Sequence, residues 1–151
     1  MDKKQNLIFK KATTKDVDKF LELEENEINN KMYSCFLNKD KVLKEFKNNE
    51  VYLIYKDDIL VGSTEFQIKS PNHAYLSGLI IDPLFQNQGI GRQAILFRLE
   101  KLKKFKRIDL VTHPENYKII NMYQSLGFKI EKCIENYYGD GEPRLMLVKE
   151  N

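Results

Sequence analysis

The chain has 151 residues, 42% of them hydrophobic and 31% charged, a balance that argues against both a disordered segment and a membrane-embedded protein. Its 25 Lys and Arg against 22 Asp and Glu leave a net charge of +3, too small to demand nucleic acid or an anionic membrane as a partner. This length is expected to form a single domain over 1–151 with one sizeable core.

The N-terminal stretch Met1–Asp16 is basic but lacks the apolar centre of a secretory signal, and no run approaches the ~20 apolar residues of a membrane span. A cytoplasmic protein is expected. Cys35 and Cys133 stand far apart without a CxxC or Cys/His ligand spacing, so reduced thiols and no metal are expected.

In chain order, residues 7–11 (LIFKK) form a short extended run. Lys15–Glu25, with Val17, Phe20 and Leu21 at helical spacing, and Asp40–Phe46, with Val42, Leu43 and Phe46, are two amphipathic helices. Val51–Lys56 and Ile59–Ile68 are strands joined by the two-residue turn Asp57-Asp58, and Ser70-Pro71-Asn72 turns the chain into a third strand, His73–Ile81. Ile90, Ala94, Ile95, Leu99, Leu102 and Phe105 mark a long helix over Gly89–Phe105, with Arg98, Lys101 and Lys104 assigned to solvent. Ile108–Thr112 is a strand, Asn116–Leu126 a helix stopped at Gly127, and strands follow from Phe128 and over Arg144–Lys149. The order β-α-α-β-β-β-α-β-α-β-β requires a parallel crossover around Gly89 after an antiparallel meander. An α/β (α+β) fold with a mixed, mainly antiparallel central sheet flanked by helices is expected.

The segment from Ile81 to Arg92 carries the most chemistry. Gly89 and Gly91 let backbone N–H groups approach a ligand at a helix N-terminus, where a phosphate or pyrophosphate is favoured, with Arg92 adding a cation. The same glycines could instead serve only a tight loop and helix-on-sheet packing. Gly89-Ile90-Gly91-Arg92-Gln93-Ala94 also satisfies the dinucleotide pattern GxGxxG/A, with Asp109 about 20 residues on. Context argues against that pattern, because the loop from Asp82 to Gln88 separates strand from glycines and an antiparallel meander precedes it.

Gln86, Gly89 and Gly91 meet the pattern Gln/Arg-x-x-Gly-x-Gly/Ala, and Asn116 precedes Tyr123 and then Leu126-Gly127-Phe128. Together these resemble the two signatures of the GNAT superfamily of N-acetyltransferases. The resemblance implies a GNAT-like acyl-CoA N-acyltransferase fold whose strands ending at Ile81 and running from Ile108 to Thr112 splay to admit the pantetheine of acetyl-CoA. It further implies that backbone groups of Leu79, Ile80 and Ile81 pair with the pantetheine amides. Gln86, Asn87, Gln88, Gly89, Ile90, Gly91 and Arg92 would then hold the pyrophosphate, and Asn116 the pantetheine arm. Asn116 suits a helix N-cap equally well.

Acetyl transfer to an amine in a ternary complex needs a proton acceptor for the amine and a donor for the departing thiolate. Tyr123 matches the family's donor position and is also expected to touch the co-substrate; by residue type alone a packed core aromatic is the plainer reading, and the motif reverses that. The glutamate that N-terminal acetyltransferases use as base falls at Val111, which leaves His113, Glu65 and a water relay open. Asn136-Tyr137-Tyr138-Gly139-Asp140-Gly141-Glu142 is similar to the tyrosine-rich strand and acidic turn that flank peptide substrates in that subfamily. The acceptor is expected to be a small-molecule amine, a polyamine or a protein N-terminus. A non-catalytic acyl-CoA-binding regulatory module is the alternative. Arg98, Lys101, Lys103, Lys104, Lys106 and Arg107 against Glu100 read as a solvated helix end rather than a nucleic-acid site. A monomer or homodimer is expected.

Overall fold

The computed structural model describes residues 6–36 and 38–151; Met1–Gln5, the start of the basic N-terminal stretch, lie outside the described residues. Strands β1 (Leu7–Lys11), β2 (Glu50–Lys56), β3 (Ile59–Ser70), β4 (His73–Ile81), β5 (Arg107–Thr112), β6 (Lys129–Ile134) and β7 (Arg144–Glu150) form one sheet in the order β1-β2-β3-β4-β5-β7-β6. Helices α1 (Val17–Glu25), α2 (Lys39–Asn48), α3 (Ile90–Lys101) and α4 (Tyr117–Ser125) flank it. Among the described residues only β4 and β5 pair in parallel, as the crossover through α3 requires. Among the described residues no helix is long and apolar enough to cross a membrane.

Local chemistry accounts for the boundaries. Thr13 and Asp16 form a capping box ahead of α1 and Asn38 Oδ1 accepts the Lys41 N–H at the start of α2, each satisfying a donor that the helix leaves over. Asp57 (φ 50°) and Asp58 (φ 65°) both take the left-handed conformation of a tight hairpin. Helix α3 stops at Lys101, short of the expected Phe105. The chain must reverse there for the Arg107 N–H to reach the Asn72 carbonyl at 3.0 Å and start β5 beside β4, while Leu102 and Phe105 keep their places in the core.

Two features of β4 shape the site. Its register against β3 shifts between Glu65↔Gly78 and Gln67↔Tyr75, a bulge near Leu76 and Ser77. Ala74 and Leu76 therefore pack toward α3 and α4, whereas Ile80 packs with Leu23 of α1. In addition, β4 pairs with β5 only at His73↔Arg107, Ala74↔Ile108 and Tyr75↔Asp109. Past Tyr75 the two strands separate, and β5 remains paired to β7 through Thr112.

At Arg98 the structure departs from expectation, for the side chain assigned to solvent is 1% exposed. It stands four residues after Ala94 and four before Leu102, on the apolar stripe of α3, and periodicity prevails over charge. Lys101 remains at the surface but rests over the Tyr52 and Phe97 rings at 5.3 and 5.2 Å, and Arg107 binds Asp109 and Glu131 at 3.0 Å each. Of the expected solvated basic helix end, Arg98 is therefore buried and Arg107 is ion-paired.

Candidate active site

The loop from β4 to α3 is built by its own side chains. Asp82 Oδ1 accepts the Leu84 N–H at 2.9 Å and Gln86 Nε2 donates to the Ile81 carbonyl at 3.0 Å. Asn87 (φ 63°) and Gly89 (φ 82°) then turn the chain into α3. Among the described residues no side chain caps the first turn of α3, which leaves its N–H groups for an anion. A Cβ added at Gly91 would meet nothing nearer than Ile81 Cγ1 at 4.0 Å, so internal packing does not demand this glycine. Lys118 donates to Asn87 Oδ1 and Lys56 to Gln88 Oε1 at 3.0 Å. These two cations beside Arg92 were passed over in the sequence, where nothing local ties them to the loop.

A cavity of about 490 Å³ opens here, lined by Leu79, Ile80, Ile81, Gln86, Asn87, Gly89, Ile90, Gly91, Arg92 and Asn116. Of the expected loop residues, Gln88 is absent from its walls. A second cavity of about 370 Å³ is bounded by Tyr33, Glu45, Tyr75, Arg98, Tyr123 and Tyr138. Leu79, Asn116 and Ile119 line both, so the two meet where β4 and β5 part. Asn116 occupies the N-cap position of α4 without a capping side-chain bond; its Nδ2 donates instead to Thr112 Oγ1 at 3.3 Å. Uncapped N–H groups, a glycine with open space, nearby cations and an open β4 edge suit a nucleotide pyrophosphate followed by an extended amide chain, the two halves of CoA.

Tyr123 is 3% exposed and packs edge-on to Phe128 with centroids 5.1 Å apart. Its Oη accepts a hydrogen bond from Arg98 Nη2 at 2.7 Å. Tyr123 walls the second cavity and not the first, which places the phenol beyond the loop end of the channel.

The acidic turn is spent internally. Asp140 Oδ2 holds Arg144 at 2.9 Å and Glu142 Oε2 faces His113 Nε2 at 3.3 Å, so neither acid stands ready for a substrate cation. His113 Nδ1 accepts the Glu115 N–H at 3.1 Å, and the imidazole lines neither cavity. With that lone pair engaged, His113 serves the loop rather than the role of base. Asp109, which the dinucleotide pattern would send to a ribose, is buried against Arg107 and His73 at 3.0 and 2.8 Å. Tyr137 and Tyr138 do reach the second cavity.

Glu65, 3% exposed, walls neither cavity, and burial together with the neighbouring Glu45 pushes its pKa well above the carboxylate range. Burial also raises Glu45, against a smaller downward pull from the neighbouring Glu65. Glu45 lines the second cavity and was missed because only the tertiary fold sets α2 against β3. Behind them, Glu24 accepts the Tyr33 hydroxyl at 3.1 Å and the Phe36 N–H at 3.0 Å, and burial lifts its pKa from 4.5 to about 7. The folded state thus holds protons that the unfolded chain releases. Stability from Glu24 is complete below about pH 4.5 and is lost as pH rises through about 7, a swing on the order of 3 kcal/mol. Urea unfolding across pH 5–8 is expected to show stability falling for the wild type relative to E24Q; parallel profiles would refute this.

The acetyltransferase (GNAT) family profile matches residues 10–128, and the chain belongs to that family. It is an acetyltransferase of that family. An uncharacterized N-acetyltransferase, YvbK of Bacillus subtilis (strain 168), is 26% identical over 118 residues, 74% of this chain and 76% of that protein. A GNAT family acetyltransferase from Elizabethkingia anophelis with acetyl-CoA bound covers 98% of this chain and 100% of its own at TM-score 0.77 and 19% identity. The ribosomal-protein-S18-alanine N-acetyltransferase from Escherichia coli covers 95% of this chain and 93% of its own at TM-score 0.80 and 19% identity.

Proposed function

We propose that this acetyltransferase passes the acetyl group of acetyl-CoA directly to a small primary amine entering from the α1–α2 side, with Tyr123 as proton donor to the leaving thiolate. The observation that carries the reading is the channel between β4 and β5, which runs from the uncapped α3 N-terminus to the Tyr123 wall. In it, Gln86, Asn87, Gly89, Ile90, Gly91 and Arg92 hold the pyrophosphate, with Gln88 bracing the loop through Lys56. Leu79, Ile80 and Ile81 offer the open β4 edge to the pantetheine amides, and Asn116 contacts the arm where the cavities meet. The acceptor amine lies in the tyrosine-lined cavity.

A small amine is favoured over a peptide for two reasons. The acceptor cavity measures about 370 Å³ and is walled by Met32, Tyr33 and Phe36 of the α1–α2 connection. Its polar wall includes Glu45 and Asn49, whose buried Oδ1 has no partner among the described residues and whose Nδ2 is tied to the Glu45 carbonyl at 3.1 Å. Both oxygens suit an ammonium group. Val111, in place of the N-terminal acetyltransferases' glutamate, points the same way. Burial and the neighbouring Glu45 favour the protonated form of Glu65, and Glu45 is the acid of the two that lines the acceptor cavity.

Thermal unfolding with acetyl-CoA, CoA, NADH or NADPH tests the co-substrate. Acetyl-CoA and CoA alone are expected to stabilise the fold, by about 2.7 kcal/mol at ~100 times the dissociation constant. A response to a nicotinamide nucleotide alone would overturn the loop assignment. Thiol release from acetyl-CoA is then followed with monoamines, diamines, polyamines and peptides bearing free N-termini. Turnover with the small amines is expected; turnover with peptides alone would move the acceptor to protein N-termini, and CoA binding without turnover on any amine would favour a non-catalytic module.

A further inference from the structure

We infer that Arg98 is the positioning residue of the acetyl transfer, aiming the Tyr123 hydroxyl proton into the acceptor cavity and holding the charge left on the phenol oxygen when that proton departs. This rests on Tyr123 being the donor. A guanidinium 1% exposed between helix and sheet is costly to bury, and the neighbouring stripe positions Ala94, Ile95 and Leu102 show that an apolar residue suits this face. Among the described residues no salt bridge compensates Arg98, and its Nε–H has no protein partner. What it does contact is specific. Nη1 donates to the carbonyls of Glu65 at 3.1 Å and Gly78 at 3.2 Å, while Nη2 donates to Tyr123 Oη at 2.7 Å.

A phenol oxygen has one proton and two lone pairs. Arg98 can only donate, so it fills a lone pair of Oη and leaves the Tyr123 proton for the cavity that both side chains line. In the reaction the neutral amine nitrogen bonds to the thioester carbon, and the C–S bond breaks with its electron pair going to sulfur. Sulfur takes the Tyr123 proton, and the proton shed by the new amide nitrogen returns through solvent to Oη. Between those transfers the negative charge on Oη lies 2.7 Å from the guanidinium, a fixed charge-assisted contact that needs no rearrangement at the moment of reaction. Glu65 and Gly78 face each other at the register shift beside which β4 leaves β5. The group that aims the donor therefore also fastens the strand opening that admits the co-substrate.

The test is a double-mutant cycle of R98Q and Y123F, with R98K as the conservative partner, read as kcat and as KM for acetyl-CoA. R98Q is expected to lower kcat about 10- to 100-fold with KM changed less than about 3-fold. In the Y123F background the same change is expected to cost less than about 3-fold, because the oxygen it serves is gone. R98K, which keeps the charge and a donor, is expected to recover most of the loss, and it carries the test if R98Q does not fold. Equal losses from R98Q with and without Oη, a raised KM at unchanged kcat, or no recovery in a folded R98K would reduce Arg98 to a brace of the strands. Wild-type turnover in Y123F would instead remove the donor assignment, and the role of Arg98 with it.

Discussion

Tyr123→Phe is expected to lower kcat for acetyl transfer by about 100-fold or more, the usual worth of a positioned general acid, while binding of CoA stays nearly unchanged. The split follows from geometry, since Tyr123 walls the acceptor cavity and not the loop cavity. Phenylalanine keeps the ring's edge contact with Phe128 at 5.1 Å and removes only Oη. Arg98 Nη2 then loses its acceptor, for which a decrease of about 1–2 kcal/mol in unfolding free energy is expected. Steady-state kinetics beside calorimetric titration with CoA decide the matter. Unchanged turnover would assign the proton donor elsewhere, and loss of CoA binding would make Tyr123 a structural member of the core.

Gly91→Ala is expected to raise the dissociation constants of CoA and acetyl-CoA by about 10- to 100-fold, or about 1.4–2.7 kcal/mol, without destabilising the ligand-free protein. The added methyl has room, with its nearest neighbour, Ile81 Cγ1, 4.0 Å away. Alanine also favours the helical conformation over glycine by roughly 0.5–1 kcal/mol. If Gly91 served helix-on-sheet packing, stability would fall instead. The methyl would obstruct an anion drawn to the uncapped N–H groups of α3. Paired melting curves with and without CoA read both effects in one experiment, and a stable variant that binds CoA normally would remove Gly91 from the binding site.

The residues that locate the channel are largely legible in the sequence. The loop from Asp82 to Arg92 is local: a strand end, a Pro-containing turn and two glycines ahead of an apolar stripe, all within one short stretch. Asn116 and Tyr123 were visible in the same way, although Asn116 turned out to bond Thr112 rather than its own helix. The acidic turn at Asp140 and Glu142 is legible as a turn, but the sequence does not show that Arg144 and His113 hold its charges. Arg144 stands four residues from Asp140 in the chain, whereas His113 comes within reach of Glu142 only because β7 pairs with β5.

Arg98 shows why charge alone misleads. The spacing that marks Ala94, Ile95 and Leu102 as core also marks position 98, yet a cation there is tolerable only where carbonyls and a hydroxyl converge on it. Glu65 of β3, Gly78 of β4 and Tyr123 of α4 supply those groups, and no local pattern announces their meeting. Glu24, Glu45 and Glu65 make the same point with the opposite sign: each is an ordinary acid in the sequence, and burial on one face of the sheet raises all three.

The elements, their order, the mixed sheet and the resemblance to acetyltransferases are written locally, because capping, turn chemistry and hydrophobic period act over a few residues. Where β4 parts from β5, which acids are already paired and which cation stands behind the phenol emerge with the folded core. Those outcomes depend on hydrogen bonds between groups far apart in the chain, and desolvation fixes their energies only once the core has closed around them.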